Sequence, residues 1–156
     1  MKYLHVFTEL ELDTDDIAYL NNHSDTKKNL ATNIYGTKMK SGYGQHFLEE
    51  DFTHPFYDKI TALYPSWQGE SKPQISRVSG ELKVHTDFRE YVLSIPLVDL
   101  KKPITFWSSR DDDKEIVYQY NYVKYQPVII NAHQLHSVID NDEERLFFQM
   151  KWFEMP

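Results

Sequence analysis

The residues of this chain best suited to chemistry are His85 and Asp87, which are separated by one threonine. They follow a run in which apolar and polar residues alternate, and they precede the largely apolar segment from Tyr91 to Leu97. This pattern predicts that they end a β-strand. Side chains at positions i and i+2 point to the same face of a strand. The imidazole and the carboxylate would therefore converge on one point, where they could bind a metal ion.

A third ligand is available near the other end of the chain, where His133 and His136 lie close together. His136 is the better candidate because it begins an alternating run typical of a strand, whereas His133 lies in the turn before that run. Two histidines and one carboxylate are a ligand set of non-haem Fe(II) sites with open coordination positions. The sequence therefore predicts a metal site formed by His85, Asp87 and His136.

Arg145 is the candidate for binding an anion. The acidic segment before it predicts a four-residue hairpin loop, in which His136 would face Gln149 and Arg145 would share the side-chain parity of Gln149. Arg145 would then point into the same cavity as His136, where its planar guanidinium suits a carboxylate. The alternative is an exposed salt bridge to Glu143 or Glu144.

Charge balance supports the inward orientation. A divalent ion with two neutral imidazoles and one carboxylate keeps one net positive charge. A dicarboxylate that occupied two of the open positions and reached Arg145 with its distal end would leave the site nearly neutral, which a buried pocket requires.

One series of residues extends through the C-terminal half of the chain. It consists of Arg77, Gly80, His85-Thr86-Asp87, Leu93 to Leu97, Asn131, His136, Val138 and Arg145. In this order the series resembles the Fe(II)- and 2-oxoglutarate-dependent oxygenases, and it is most similar to their prolyl and aspartyl/asparaginyl hydroxylase-like branches. The resemblance covers residues 73 to 153, about half of the chain.

The resemblance implies a mainly β fold with a double-stranded β-helix core (jelly roll, cupin-like). It also implies that His85, Asp87 and His136 bind the iron and that Arg145 holds the C5 carboxylate of 2-oxoglutarate. The expected activity is that of a dioxygenase, which uses O2 to hydroxylate an unactivated C–H bond of an amino acid, peptide or protein side chain and releases succinate and CO2. Ascorbate is a candidate reductant.

Four further residues are weaker candidates. Ser94, with Ser76 as the second choice, is the candidate to assist the arginine in holding 2-oxoglutarate. Arg77 and Arg89 are cations near the expected cavity, and they are either ligands for a substrate carboxylate or ordinary surface charges.

Composition sets outer limits on the function. The 156 residues suit one domain, and the absence of cysteine excludes disulfides and thiolate ligands. A net charge of -7 disfavours binding of nucleic acid. Charged residues near the start argue against a signal peptide, and no apolar run approaches membrane-spanning length, so we expect a cytoplasmic protein without a membrane partner.

We expect residues 1–156 to form a single domain with two parts, which together position the candidate site residues. Residues 1–71 are expected to be a helical and loop region that packs on the sheet, and residues 72–156 are expected to be the β-helix core. The N-terminal part is predicted to contain a strand at 4–7, a helix with Thr14 as its N-cap, a loop at 24–50 that is either a lid or an ordinary surface loop, and a helix at 51–64 that ends before Pro65.

The C-terminal part is predicted to consist entirely of strands. They are placed near 73–79, 81–87, 90–98, 103–108, 115–121, 122–130, 135–140 and 145–153. The acidic run at 111–115 lacks the ligand spacing of a calcium loop and is interpreted as a solvated hairpin tip.

Two other functions compete with the oxygenase. One is a cupin-type metalloenzyme that does not use 2-oxoglutarate, although such sites commonly have three histidines and a glutamate. The other is a non-catalytic β-sandwich that binds a partner through an aromatic strip, which would comprise Tyr118, Tyr120, Tyr122 and Tyr125.

Overall fold

A computed structural model describes residues 1–25, 43–47, 54–65, 73–78, 80, 82–87, 91–152 and 154 of the protein. Within these residues the secondary structure is mostly β, with two helices, as predicted. The helices are α1 (Thr14–Asp25) and α2 (Pro55–Leu63). The strands are β1 (Leu4–Val6), β2 (Tyr43–Phe47), β3 (Gln74–Val78), β4 (Leu82–His85), β5 (Tyr91–Pro96), β6 (Ile104–Trp107), β7 (Ile116–Tyr120), β8 (Val128–Asn131), β9 (His136–Val138) and β10 (Arg145–Trp152).

Each predicted strand is present, but two features of the strand pattern differ from the prediction. The strand expected at 122–130 begins only at Val128. Tyr125 precedes it with φ of 63°, a left-handed conformation that a strand residue cannot adopt. In addition, β2 lies within the segment that was predicted to be a loop, and it pairs with β3. The rest of the proposed lid, residues 26–42 and 48–50, lies outside the described residues.

The strands form two antiparallel sheets. One has six strands in the order β1-β8-β5-β10-β3-β2, and the other has four in the order β4-β9-β6-β7. The last eight strands pair in a nested series, since β3 pairs with β10, β4 with β9, β5 with β8 and β6 with β7. This nesting brings segments that are distant in sequence next to one another.

The predicted hairpin between β9 and β10 was wrong. His136 in β9 pairs with His85 and Phe106 of the four-stranded sheet. Gln149 in β10 pairs instead with Gln74 and Ser94 of the six-stranded sheet. The loop between the two strands therefore crosses from one sheet to the other, and at its start Asp140 has φ of 47°.

The six-stranded sheet carries a core on each face because its side chains alternate. One face packs against the helices through residues that include Phe56, Ile60, Phe148, Met150 and Trp152. The other face packs toward the four-stranded sheet through residues that include Val92, Phe106, Ile130 and Phe147. No helix among the described residues is long and apolar enough to cross a membrane.

The N-cap of α1 and the first residue of α2 differ from the prediction. In α1 the N-cap is Asp13, not Thr14: Asp13 Oδ1 accepts from the backbone N–H of Asp16 at 2.9 Å, and Asp16 Oδ2 accepts from that of Asp13 at 3.0 Å. This reciprocal arrangement is a capping box built from two aspartates. In α2, Pro55 occupies the first turn and His54 Nδ1 accepts from the N–H of Phe56 at 3.1 Å, so the helix begins later than residue 51.

Phe56 packs α2 against the sheet, and its replacement by alanine should destabilise the protein. The side chain is fully buried, and its ring meets that of Phe148 edge-on at a centroid distance of 5.3 Å. We expect Phe56→Ala to lower the free energy of unfolding by about 3–5 kcal/mol, measured by denaturant titration. Leu63→Ala, on the same helix but 39% exposed, should change it by less than about 0.5 kcal/mol. Equal losses in the two variants would contradict this account of helix docking.

Candidate metal centre

The β4–β9 pair brings His85 and His136 face to face. The two residues are direct partners in the sheet, and their ring centroids are 4.4 Å apart. The register of β4 against β9 shifts between the Leu82–Val138 pair and the His85–His136 pair. Over this stretch β4 advances by three residues and β9 by two, so β4 contains a β-bulge. Such a bulge re-aims the side chains that follow it. His85 consequently faces the same side as His136, toward the space between the two sheets.

Asp87 lies just beyond the end of β4 and is fixed to the opposite sheet. Its backbone N–H donates to the carbonyl of Ala132, at the end of β8, at 2.9 Å. Its carboxylate lies between the two imidazoles: Oδ1 is 3.7 Å from Nε2 of His85, and Oδ2 is 3.7 Å from Nε2 of His136. One ligand atom from each of the three residues lies within 4.8 Å of the others.

Hydrogen bonds on the far side of each ring fix which nitrogen can bind a metal. Nδ1 of His85 is 2.7 Å from the carbonyl of Lys83, and Nδ1 of His136 is 2.8 Å from the carbonyl of Gln134. A carbonyl only accepts, so in each neutral ring Nδ1 carries the hydrogen. The Nε2 lone pairs of both rings are then directed at the Asp87 carboxylate, as in metal sites whose ligands are oriented by backbone carbonyls.

The spacing of the three groups fits a divalent ion. The 3.7 Å separations between nitrogen and oxygen exceed a hydrogen bond, which is about 2.7–3.2 Å. With metal–ligand bonds of about 2.1 Å, two ligand atoms at right angles or tetrahedral angles lie about 3.0–3.4 Å apart. A small inward movement of the side chains would therefore complete the coordination. The donor set of two imidazoles and one carboxylate suits Fe(II).

The local charges keep Asp87 in the form that a metal requires. Burial alone would raise the pKa of its carboxyl group, but the interactions with His136, His85 and Lys151 outweigh that effect and hold the pKa below its ordinary value. The carboxylate is consequently ionised at neutral pH. The side chains of His85 and Asp87 are 36% and 42% exposed, whereas that of His136 is 9% exposed, so the centre opens to solvent on the side of the first two residues.

Arg145 is buried on the inner face of β10, with 1% of its surface exposed. Its guanidinium lies 5.4 Å from the ring of Tyr122 and 5.7 Å from that of Phe147. Nη1 donates to the carbonyl of Lys102 at 2.7 Å and to Oε1 of Glu143 at 3.2 Å. Burial lowers the pKa of Arg145, and the nearby Tyr122 and Glu143 counteract this in part. The side chain of Arg145 therefore points into the interior, as predicted, although the β9–β10 register used in that prediction was wrong. Arg145 also pairs with Glu143, one of the two carboxylates named in the alternative interpretation.

A buried polar network occupies the inner face of the six-stranded sheet between Arg145 and the metal centre. Ser76 donates to Oε1 of Gln149 at 2.6 Å, and Nε2 of Gln149 donates to Ser94 at 3.0 Å. Gln74 donates to both Ser76 and Gln149. The two serines were candidates to assist Arg145 in holding 2-oxoglutarate, a role that stays a prediction, and the two glutamines were missed. The sequence feature that could have identified Gln74 and Gln149 is a polar residue at a position whose side chain faces the interior of the fold.

The remaining candidates are placed elsewhere. Arg77 lies on the helix-covered face of β3 and donates from Nε to Oε2 of Glu144 at 2.8 Å, so the structure does not bring it to the metal centre. Arg89 lies outside the described residues. His133 is exposed and contacts the ring of Tyr91 at 5.0 Å, apart from the three clustered residues.

Two cations beside the centre were not singled out by the sequence. Arg110, in the loop between β6 and β7, donates from Nη2 to the hydroxyl of Thr86 at 3.3 Å. Lys151 lies near the end of β10 and lowers the pKa of Asp87. Arg110 has no recognisable signal in the sequence, because its contact with Thr86 depends on how the β6–β7 loop folds over the end of β4.

No protein-family model matches the sequence, and no curated protein matches it significantly. Several solved structures share the fold. AviO1 from Streptomyces viridochromogenes Tue57 has a TM-score of 0.58 at 14% identity, with 96% of this chain and 88% of that one covered. A prolyl-4-hydroxylase of Pseudomonas putida has a TM-score of 0.57 at 13% identity, covering 97% and 91%. A 2OG-Fe(II) oxygenase family oxidoreductase of Burkholderia pseudomallei has a TM-score of 0.51 at 9% identity, covering 92% and 80%. At these identities the likeness concerns the fold alone.

The geometry predicts which histidine is needed for metal binding. We expect His136→Ala to weaken Fe(II) or Co(II) binding by at least about 100-fold, because it removes one of three ligands. Affinity would be measured by anaerobic metal titration. His133→Ala is the matched control, three residues away and exposed, and should bind metal as the wild type does. Equal weakening by the two substitutions would show that the metal is not held at this cluster.

Proposed function

We propose that the protein is an Fe(II)- and 2-oxoglutarate-dependent oxygenase in which His85, Asp87 and His136 hold the iron. The observation that carries this proposal is the orientation of the two imidazoles. Both are fixed by backbone carbonyls at Nδ1, and both direct Nε2 at a single ionised carboxylate 3.7 Å away. An arrangement of two histidines and one carboxylate leaves coordination positions open for a cofactor and O2.

The strand pairing supports a double-stranded β-helix core. Eight strands pair in four nested antiparallel pairs and divide between two facing sheets, which is the organisation of a jelly roll. Two of the structures that share the fold are a prolyl-4-hydroxylase and an oxidoreductase of the 2OG-Fe(II) oxygenase family. Their activities enter this proposal as an analogy of fold.

The inner face of β10 suits a bound dicarboxylate. Arg145 would hold the distal carboxylate of 2-oxoglutarate, and the buried hydroxyl of Ser94, oriented by Gln149, would line the space toward the metal. A guanidinium binds a carboxylate through charge-assisted hydrogen bonds, which are strong in a buried site. When bound, iron and 2-oxoglutarate supply the oxidising chemistry, with succinate and CO2 as the products of the cofactor.

The surrounding residues would hold the ligands in place and limit access. Phe106, which lies 6.0 Å from the His136 ring, and Phe147 form apolar walls that exclude water from the buried side of the centre. The exposed side, at His85 and Asp87, would admit the substrate. We propose hydroxylation of a C–H bond in an amino acid, peptide or protein side chain, with ascorbate as an accessory reductant and a cytoplasmic location.

One observation favours a different metalloenzyme that does not use 2-oxoglutarate. Glu143 already pairs with Arg145 and also accepts from the backbone N–H groups of Lys101 and Lys102. In such an enzyme the role of Arg145 would be structural: through Glu143 it would stabilise the turn at Lys101 and Lys102 against β10. Against it, the described residues offer two histidines and one carboxylate at the centre, whereas cupin-type sites commonly add ligands.

Turnover of 2-oxoglutarate separates the two candidates. Wild-type protein with Fe(II), 2-oxoglutarate and O2 should form succinate, even slowly and without a substrate. Arg145→Ala should raise the KM for 2-oxoglutarate by about 10- to 100-fold, which corresponds to the loss of one hydrogen bond to a charged group. Arg145→Lys should raise the KM less, because it keeps the positive charge. The readout is succinate by NMR, with circular dichroism as a check on folding.

Arg77→Ala serves as the matched control, because it removes an arginine from the outer face of the same sheet and should leave the KM unchanged. If Arg145→Ala folds and keeps the wild-type KM, Arg145 does not hold the cofactor. If the wild type binds iron but forms no succinate, the second candidate is correct.

A further inference from the structure

We infer that Glu143 positions Arg145, so that the guanidinium presents the N–H groups of Nε and Nη2 side by side to the distal carboxylate of 2-oxoglutarate. This inference rests on the proposed function and adds a positioning residue to it. Glu143 would not touch the cofactor. It would act through Arg145, by holding the nitrogen at the opposite corner of the guanidinium.

The carboxylate of Glu143 is held in one place by the segment that precedes β6. The backbone N–H of Lys101 donates to Oε1 at 3.0 Å and to Oε2 at 2.9 Å, and that of Lys102 donates to Oε1 at 2.9 Å. Glu143 lies in the loop that crosses from β9 to β10, where its backbone carbonyl accepts from Nδ2 of Asn141 at 3.0 Å. Both the side chain and the backbone of Glu143 are therefore fixed.

The described residues use one of the nitrogens of the Arg145 guanidinium. Nη1 donates to the carbonyl of Lys102 at 2.7 Å and to Oε1 of Glu143 at 3.2 Å. Within the part of the chain that the structure describes, no acceptor bonds to Nε or Nη2. The buried side-chain atoms that lack a partner there belong to Asn141 and Trp152, so Nε and Nη2 of Arg145 border on space that solvent can reach. An acceptor from outside the chain can therefore bind them.

The two unused nitrogens form a fork that fits a carboxylate. Nε and Nη2 lie on the same side of the planar guanidinium, and their two N–H groups match the two oxygens of a carboxylate. The fork keeps one direction only if the guanidinium cannot turn. The rings of Tyr122 and Phe147 lie 5.4 and 5.7 Å from its central carbon, and the two bonds at Nη1 fix its rotation. Loss of Glu143 would remove one of these bonds and let the fork turn away.

The charge of Glu143 is compatible with this role. Arg145 has 1% of its surface exposed, and a charge buried without a partner is costly. Glu143 compensates that charge while no cofactor is bound. Its contact with Arg145 involves Nη1 alone, and the backbone N–H groups of Lys101 and Lys102 satisfy the rest of the carboxylate. Glu143 therefore pairs with Arg145 without occupying the fork.

Anaerobic titration of Fe(II)-loaded protein with two 2-oxo acids separates positioning from charge. Both 2-oxoglutarate and pyruvate can chelate the metal and give a charge-transfer band, but pyruvate has no distal carboxylate. Glu143→Gln keeps the length of the side chain and one acceptor oxygen, and it removes the charge. Glu143→Asp keeps the charge and withdraws the carboxylate by one methylene. Glu144→Asp is the matched control, because Glu144 is the next residue and pairs with Arg77 on the outer face of the sheet.

We expect Glu143→Asp and Glu143→Ala to raise the dissociation constant of 2-oxoglutarate by at least about tenfold, the effect of losing one hydrogen bond to a charged group. Glu143→Gln should bind 2-oxoglutarate at least as tightly as the wild type, because the acceptor remains and a like charge near the cofactor is removed. The dissociation constant of pyruvate should be the same in every variant, since pyruvate does not reach Arg145. Glu144→Asp should behave as the wild type with both acids.

The contact at Nε can also be observed by NMR. The protein has four arginines, and in protein labelled with 15N-arginine the Nε–H signal of Arg145 is the one lost in Arg145→Lys. With Zn(II) in place of iron, 2-oxoglutarate should move this proton signal downfield in the wild type and in Glu143→Gln, and less in Glu143→Ala. A signal that stays in place while 2-oxoglutarate binds would contradict the side-by-side contact.

Three results of the titration would overturn the inference while leaving the oxygenase proposal intact. One is wild-type affinity for 2-oxoglutarate in both Glu143→Asp and Glu143→Ala. Another is wild-type affinity in Glu143→Asp together with a loss in Glu143→Gln, since charge alone would then matter. The third is equal weakening of 2-oxoglutarate and pyruvate, which would show that Glu143 maintains the fold or the metal centre. If neither acid gives a band with the wild type, the proposed function fails, and this inference fails with it.

Discussion

The direct pairing of His85 with His136 is the constraint on which the rest of the site depends. Fifty-one positions separate the two residues in the chain, and only the antiparallel contact between β4 and β9 brings them together. The bulge in β4 turns His85 inward, and the bond from Asp87 to Ala132 fixes the carboxylate against the opposite sheet. Because that bond joins the two sheets, the arrangement of the three candidate ligands and the closure of the fold stabilise each other.

The inner face of β10 carries its polar residues in a fixed order. Arg145 lies at one end, Gln149 with its bound serines lies in the middle, and Lys151 lies at the other end. Buried polar groups are costly unless each has a partner, and here they bond to one another or to backbone. In the proposed function such a strand would provide polar contacts for a cofactor along its length. The apolar residues between them face the helices and hold the strand in place.

Much of the architecture follows from the sequence because strand periodicity is a local property. Leu93 and Ile95 alternate with Val92 and Ser94, and the structure places the two sets on opposite faces as the period of two requires. The sheet to which a strand belongs is not a local property. The acidic loop before Arg145 could form a hairpin or could cross from one sheet to the other. The outcome depends on the pairing partners of β9, which are remote in sequence. The bulge in β4 and the reach of Arg110 to Thr86 likewise depend on tertiary contacts.

In the proposed function, one site holds both iron and 2-oxoglutarate. Anaerobic titration of 2-oxoglutarate into Fe(II)-loaded protein tests it most directly, because chelation of the metal by a 2-oxo acid gives a visible charge-transfer absorption band. We expect a saturable band in protein with one equivalent of iron, and no band in an iron-loaded sample of His136→Ala. Iron binding at the three residues without any band would contradict it, since the open positions would then not accept the cofactor.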